Sequence, residues 1–246
     1  MSAGPGAGVP SAPAVEADGL GRRYGRRWAL VDVALRVPRG AVVMVAGRNG
    51  SGKSTLLRVL ATAIAPTRGR ARVAGFDVTA ERDEVRGRSA LLAHASYTYE
   101  ALSALENLAI TARFLGRPHG REALRALLGE VGLAERGDDA VETFSAGMRK
   151  RLALARVRLQ QAEVVLLDEP YGQLDPPGFR LVDRLLGALR EQGRTVLMAT
   201  HLLERGADLC DLGVVLEGGR VAWTGPAADL PGEGVAASGL AEGAAS

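Results

Sequence analysis

A glycine-rich segment in the first quarter of the chain has the residue types and spacing of a phosphate-binding loop. Its nine residues are Gly47, Arg48, Asn49, Gly50, Ser51, Gly52, Lys53, Ser54 and Thr55. Glycines let the backbone curl until successive N–H groups face an anion, and a following helix directs the positive end of its dipole to the same place. The pattern predicts nucleotide binding, with Lys53 at the β- and γ-phosphates and the Ser54 hydroxyl on Mg²⁺.

Two acids and a histidine follow apolar runs further along the chain. Asp168 and Glu169 come directly after the run 164–167, and His201 follows the run 195–199. Because open α/β sheets bind ligands at the carboxyl ends of their strands, we expect Asp168 in the Mg²⁺ shell, Glu169 polarising the attacking water and His201 at the γ-phosphate. Alone, the acids would equally suit a solvated strand end, and a lone histidine is more often structural. The phosphate loop favours the catalytic interpretation.

Apolar patterns predict the strands and helices that must position these residues. Four unbroken apolar runs are typical of parallel strands covered on both faces: 42–46, 164–167, 195–199 and 213–216. Helical spacing relates three sets: Leu56, Leu57, Leu60 and Ile64; Met148, Leu152, Ala155 and Leu159; and Leu181, Leu185 and Leu189. Asp175 followed by Pro176 predicts the start of the last of these helices.

The order of these patterns predicts an α/β fold. The period-two alternation over 31–37 adds an antiparallel sheet at the amino end, and residues 101–160 are predicted to be mostly helical, as a separate lobe. Residues 1–13 and 231–246 are rich in Gly, Ala, Pro and Ser, so we expect a disordered N-terminal tail and a flexible C-terminal tail.

Composition and charge exclude several classes of protein. The 246 residues include one cysteine, Cys210, which cannot close an intrachain disulfide, so a reducing compartment is favoured over a secreted scaffold. No apolar run reaches the roughly 18–20 residues that span a bilayer, so we expect a cytoplasmic chain unless a partner carries it to a membrane. The net charge of +3, from 31 basic and 28 acidic residues, is too weak a field to indicate nucleic acid.

A further motif begins at Phe144. The run Phe144-Ser145-Ala146-Gly147-Met148, followed by Arg149-Lys150-Arg151, resembles the Leu-Ser-Gly-Gly-Gln signature of ABC-transporter ATP-binding subunits. The resemblance covers residues 15–225. It implies the P-loop NTPase fold of ABC ATPases over residues 14–230, with a mostly parallel core sheet, an N-terminal antiparallel β-subdomain and an inserted helical subdomain at about 95–160.

The resemblance also implies partners and cofactors. Two copies would pack head to tail around ATP and Mg²⁺, with each ATP between the phosphate loop of one copy and Ser145 and Gly147 of the other. Asp175 would lie at this interface, and Tyr24 would stack on adenine, although Tyr24 also suits ordinary packing at a strand edge. Integral membrane subunits would complete the transporter and hold it at the inner face of the cell membrane, with no direct nucleic acid expected.

His94 stands where the family usually has a glutamine that touches Mg²⁺ and senses the membrane partner, so the resemblance makes it a candidate metal ligand. His94, the run 105–108 and the Ser-Ala-Gly signature resemble the haem-exporter ATPases of cytochrome c maturation. The alternatives are ATPases of drug, antibiotic or polysaccharide exporters. A soluble ABC ATPase acting on nucleic acid or Fe–S assembly fits less well, because the 91 residues between Lys53 and Ser145 contain no cysteine and no sustained heptad. A regulator without turnover is disfavoured by Glu169 and His201.

Overall fold

A computed structural model of the protein describes residues 12–93, 97–117 and 119–231, which form two β-sheets with helices packed around them. The strands in these residues are β1 (Val15–Tyr24), β2 (Arg27–Val37), β3 (Val42–Ala46), β4 (Arg68–Val73), β5 (Phe76–Asp77), β6 (Ser89–Leu92), β7 (Val164–Asp168), β8 (Thr195–Ala199), β9 (Leu212–Glu217) and β10 (Arg220–Pro226). The α-helices are α1 (Lys53–Leu60), α2 (Arg82–Arg88), α3 (Ala104–Phe114), α4 (Arg121–Glu130), α5 (Ala146–Gln160), α6 (Pro176–Glu191) and α7 (Leu203–Leu209).

The core sheet has six strands in the order β10-β9-β3-β8-β7-β6. All neighbours are parallel except β10, which returns antiparallel beside β9. The predicted runs 42–46 and 195–199 coincide with β3 and β8, while β7 and β9 extend slightly beyond 164–167 and 213–216. The mostly parallel core sheet is therefore confirmed.

Both faces of the core sheet are covered, as unbroken apolar strands require. Alternate residues of β3 enter two different apolar clusters: Val42 and Met44 pack with the helices α3 to α6, whereas Val43 and Val45 pack with α1 and the second sheet. The carboxyl ends of β3, β7 and β8 meet at one edge of the sheet, which places the loops that follow them side by side.

The second sheet is antiparallel, in the order β2-β1-β4-β5. Its alternation follows the prediction, because Val33, Leu35 and Val37 are buried while Asp32 and Arg36 are exposed. The N-terminal antiparallel β-subdomain is thus confirmed.

Three helices, α3 to α5, lie between β6 and β7 in the described part of the predicted helical lobe, together with two 3₁₀ turns at Ala134–Arg136 and Val141–Thr143. Ser103 begins α3 with a capping box: the Ser103 hydroxyl accepts from the Glu106 N–H at 3.2 Å, and the Glu106 carboxylate accepts from the Ser103 N–H at 2.7 Å. The limits of the helical subdomain at about 95–160 stay a prediction, as does the domain range 14–230.

One detail of the helix prediction was wrong. We expected Ile64 to share a helical face with Leu56, Leu57 and Leu60, but α1 ends at Leu60. Thr62 then adopts a left-handed φ of 57°, which stops the helix and leaves Ile64 outside it.

Within the described residues, no helix combines the length and apolarity that crossing a membrane requires. The predicted tails fall almost wholly on residues 1–11 and 232–246, which lie outside the described residues.

Candidate nucleotide site

The loop between β3 and α1 has the shape that a phosphate needs. Gly47, Gly50 and Gly52 adopt positive φ values of 137°, 80° and 111°, which side chains other than hydrogen rarely allow. Gly52 begins α1 without a side-chain cap, so the first N–H groups of the helix stay free for an anion. The Ser51 hydroxyl is buried without a hydrogen-bond partner among the described residues, and this orphaned group suits a phosphate oxygen.

The other residues of the motif lie either at the exposed tip of the loop or in the first turn of α1. Arg48 and Asn49 are exposed at the tip, beside Gly50, while Thr55 is half-buried in the first turn of α1. All nine residues of the motif therefore lie on one continuous strand–loop–helix segment, as the sequence predicts.

Lys53 curls back over the loop. Its Nζ donates to the main-chain oxygens of Gly47 at 2.6 Å and Arg48 at 3.1 Å. Burial lowers the pKa of this amine, and the carboxylates of Glu169 and Asp168 partly offset the effect. The ammonium thus faces the centre of the loop, close to the two acids.

Ser54 and Asp168 meet across the site. The Ser54 hydroxyl donates to Asp168 Oδ1 at 2.9 Å. Asp168 ends β7 with only 2% of its surface exposed, and its Oδ2 has no partner among the described residues. A hydroxyl beside a carboxylate with one free oxygen is a suitable donor set for a hard cation, so these residues fit Mg²⁺.

Glu169 and His201 form the second pair. His201 Nδ1 lies 2.9 Å from Glu169 Oε2, and the Glu169 N–H donates to the Ala199 oxygen at 2.9 Å. Glu169 adopts a left-handed φ of 48°, which turns it out of β7 toward the loop that follows β8. The carboxylate is 22% exposed and the imidazole 63%, so water can reach both. The sequence predicted each residue but not this contact.

Ser145 and Gly147 lie at the start of α5. Ser145 is exposed and begins the helix by accepting from the Met148 N–H at 3.2 Å. A Cβ at Gly147 would lie 3.1 Å from the Gln173 oxygen, so this glycine allows the segment 171–175 to approach α5 closely. Among the described contacts, none joins Ser145 to the phosphate loop of its own chain.

Asp175 is confirmed as the start of α6, since its Oδ1 accepts from the Gly178 N–H at 2.9 Å. The same oxygen accepts from Arg151 at 2.8 Å, which ties α6 to α5. The Gly178 N–H, reinforced by Arg151, lowers the pKa of this exposed carboxyl. Asp175 therefore stays ionised at the surface predicted to face a second copy.

Tyr24 lies at the exposed end of β1, where the Arg22 guanidinium lies 4.8 Å from the centre of its ring. Stacking on adenine stays a prediction. His94 lies outside the described residues.

Lys150 is a neighbour of the site to which the sequence interpretation gave no separate role. It is buried in α5, with Nζ 3.5 Å from the main-chain oxygen of Asp168. Burial lowers its pKa, and Asp168 and Glu169 act in the opposite direction. One signal was available in the sequence: the chain has only two lysines, and both lie in motifs.

Together, the phosphate loop, the pair of acids and the histidine at the carboxyl edge of a parallel sheet define a protein that binds Mg²⁺-nucleotide and hydrolyses it. Comparison with known proteins narrows this class. The model of the ABC transporter family matches residues 30–172. The chain belongs to this family.

Two relatives of the chain are named for drug resistance. It is 40% identical over 222 residues to the daunorubicin resistance ATP-binding protein DrrA3 of Streptomyces coeruleorubidus, an alignment that covers 89% of this chain and 70% of the relative. It is 37% identical over 219 residues to the daunorubicin/doxorubicin resistance ATP-binding protein DrrA of Streptomyces peucetius, covering 88% and 66%. The chain thus spans about two thirds of the length of these relatives.

A solved dimeric structure of a bacterial ABC transporter cassette superposes with a TM-score of 0.79 at 25% identity, over 87% of this chain and 98% of that one. The P-loop ABC ATPase fold is therefore confirmed. As a member of the family, the chain is an ATP-hydrolysing subunit of an ABC transporter that binds ATP with Mg²⁺.

Proposed function

We propose that the chain powers the export of a drug- or antibiotic-type compound. The similarity to two daunorubicin resistance proteins, at 40% and 37% identity, carries this proposal. Export of haem for cytochrome c maturation, the first hypothesis from the sequence, has no support among the relatives described above. The alternative that the sequence left open, a drug or antibiotic exporter, is therefore preferred.

The geometry supports a role for each residue at the phosphate loop. Lys53 would neutralise the β- and γ-phosphates, because its ammonium already faces the loop through the oxygens of Gly47 and Arg48. Ser54 and Asp168 would hold Mg²⁺, which when bound offsets charge on the phosphate oxygens. The buried Ser51 hydroxyl would gain the phosphate partner that it lacks.

Glu169 is the proposed base. Its carboxylate would orient the attacking water and accept a proton from it, while His201 holds that carboxylate and reaches toward the γ-phosphate. The contact of 2.9 Å between the two side chains fixes the carboxylate at the edge where β3, β7 and β8 end.

Ser145 and Gly147 would complete the site of a second copy. Ser145 is exposed at a helix N-terminus, where a hydroxyl and free N–H groups favour an anion. Asp175 is exposed and bonded to Arg151 of the same helix, α5, so it would lie at the same interface. Tyr24 would stack on the adenine. ATP would therefore join two chains, and hydrolysis would release them.

The membrane subunits would place the chain at the cytoplasmic face of the cell membrane, where ATP is available. His94 would sit between the nucleotide and these subunits and would contact Mg²⁺.

Transport by inside-out membrane vesicles that contain the chain with its membrane subunits tests the proposal. We expect ATP-dependent accumulation of daunorubicin, followed by its fluorescence, and none with Glu169→Gln as the matched inactive control. Accumulation of haem but not of anthracyclines would return the assignment to haem export. An absence of transport for every polycyclic drug tested would contradict the proposal.

A further inference from the structure

A cluster of polar side chains built on the buried Tyr171 lies next to the Glu169–His201 pair. The Tyr171 hydroxyl donates to Asp183 Oδ1 at 2.9 Å, and Arg205 forms an ion pair with Asp183 Oδ2 at 2.5 Å. The Arg205 guanidinium also covers two aromatic rings, with its carbon 5.7 Å from the centre of Tyr171 and 5.4 Å from that of Phe179. Tyr171 itself is only 2% exposed. We name Tyr171, Asp183 and Arg205 the rear cluster.

The rear cluster and the Glu169–His201 pair, which we name the catalytic pair, are joined by two chain segments into a closed circuit of contacts. Tyr171 follows Glu169 by two residues, and Arg205 follows His201 by four, in the first turn of α7. Glu169 touches His201 at one end of these two segments, and Asp183 joins Tyr171 to Arg205 at the other. Neither segment can shift against the other without breaking one of these contacts.

The catalytic pair needs such support. The His201 imidazole is 63% exposed, so packing against neighbours restrains it weakly. The rear cluster, in contrast, is held by α6: Asp183 lies on that helix, whose start at Asp175 is fixed by a cap and an ion pair.

We propose that Tyr171, Asp183 and Arg205 are positioning residues that hold His201 against Glu169 for hydrolysis. The inference rests on the roles of Glu169 and His201 in the proposed function. Burial and the bond to Asp183 raise the pKa of the Tyr171 phenol, so it stays a donor at every pH at which the protein works.

Steady-state ATP hydrolysis by single and double variants tests this. Tyr171→Phe keeps the ring packing and removes only the hydroxyl, while Asp183→Asn removes the charge that Arg205 pairs with. Each should lower kcat about 3- to 10-fold, the range of one lost hydrogen bond, and leave the Kd for ATP within about twofold of wild type. In a His201→Ala background the same substitutions should produce no further loss, because the group that they position is gone.

Two controls separate positioning from general damage. Arg205→Lys keeps the charge and should recover part of the kcat that Arg205→Met loses. Glu130→Gln breaks a comparable ion pair, with Arg158 at 2.7 Å between α4 and α5, and should leave kcat unchanged.

Equal losses of kcat in both backgrounds would overturn the inference while leaving the role of His201 intact. A His201→Ala protein with wild-type kcat would overturn the role of His201 itself, and the inference with it. If Asp183→Asn fails to fold, which its thermal midpoint reports, Tyr171→Phe decides alone.

Discussion

Gly47, the first residue of the phosphate loop, allows a close approach between the loop and strand β9. A Cβ at this position would lie 2.3 Å from the main-chain oxygen of Leu216 and 2.7 Å from Ser51 Oγ, with φ at 137°. A residue other than glycine in such a conformation costs about 1–3 kcal/mol. Forcing extra atoms into a packed interior costs about 1–3 kcal/mol more. We therefore expect Gly47→Ala to lower the free energy of unfolding by about 2–6 kcal/mol.

Gly75→Ala is the matched control. Gly75 lies in the turn between β4 and β5 at φ 92°, and a Cβ there would meet no atom within 4 Å, so only the backbone cost of about 1–2 kcal/mol applies. Urea denaturation of both variants measures the difference. Gly47→Ala should also weaken ATP binding, because the Gly47 oxygen accepts from Lys53 Nζ at 2.6 Å. Equal losses of stability in the two variants would refute the steric reasoning.

Three further substitutions have defined outcomes. Ser54→Ala removes the hydroxyl beside Asp168 and should lower the apparent Mg²⁺ affinity in hydrolysis by about 10-fold or more, with recovery in Ser54→Thr; an unchanged Mg²⁺ dependence contradicts this. Lys150→Met removes a buried amine whose pKa burial lowers below its ordinary 10.5. The stability of the wild-type protein therefore rises with pH between that lowered pKa and 10.5. This rise should weaken in the variant. At pH 7 the variant should be at least as stable as wild type, and a loss of about 3–5 kcal/mol would instead indicate a broken buried ion pair. The Asp175 carboxyl has a pKa below its ordinary 3.8, so its contribution to stability is lost as the pH falls through that lowered value. In Asp175→Asn, the free energy of unfolding should therefore fall less steeply with decreasing pH. An identical slope in the two proteins would count against the cap.

The sequence predicts the core strands well because burial on both faces leaves a simple signature. β3 and β8 coincide with their apolar runs since nothing polar interrupts them. β10 escaped prediction because it lies at the sheet edge, with no residue fully buried, and β6 escaped because four residues are too few to show a period. These failures follow from exposure and length.

The candidate site divides in the same way. Local motifs identify the phosphate loop and the acids, because their chemistry requires residues that are adjacent in sequence. The contact between Glu169 and His201 spans 32 residues and depends on β7 and β8 being neighbours. Lys150 approaches Asp168 from α5, and Asp183 contacts Tyr171 and Arg205 from α6. No local pattern specifies how these helices pack, so only the structure reveals these contacts.

The central claim is that one ATP joins two copies of this chain, held by Lys53 of one and Ser145 of the other, until Glu169 directs its hydrolysis. Sedimentation of the Glu169→Gln variant at saturating Mg²⁺-ATP tests it most directly, since loss of a general base should slow phosphate release by about 100-fold or more and preserve bound ATP. We predict a dimer that returns to monomer when ATP is removed. A variant that binds ATP yet stays monomeric, even with its membrane subunits present, would contradict the account.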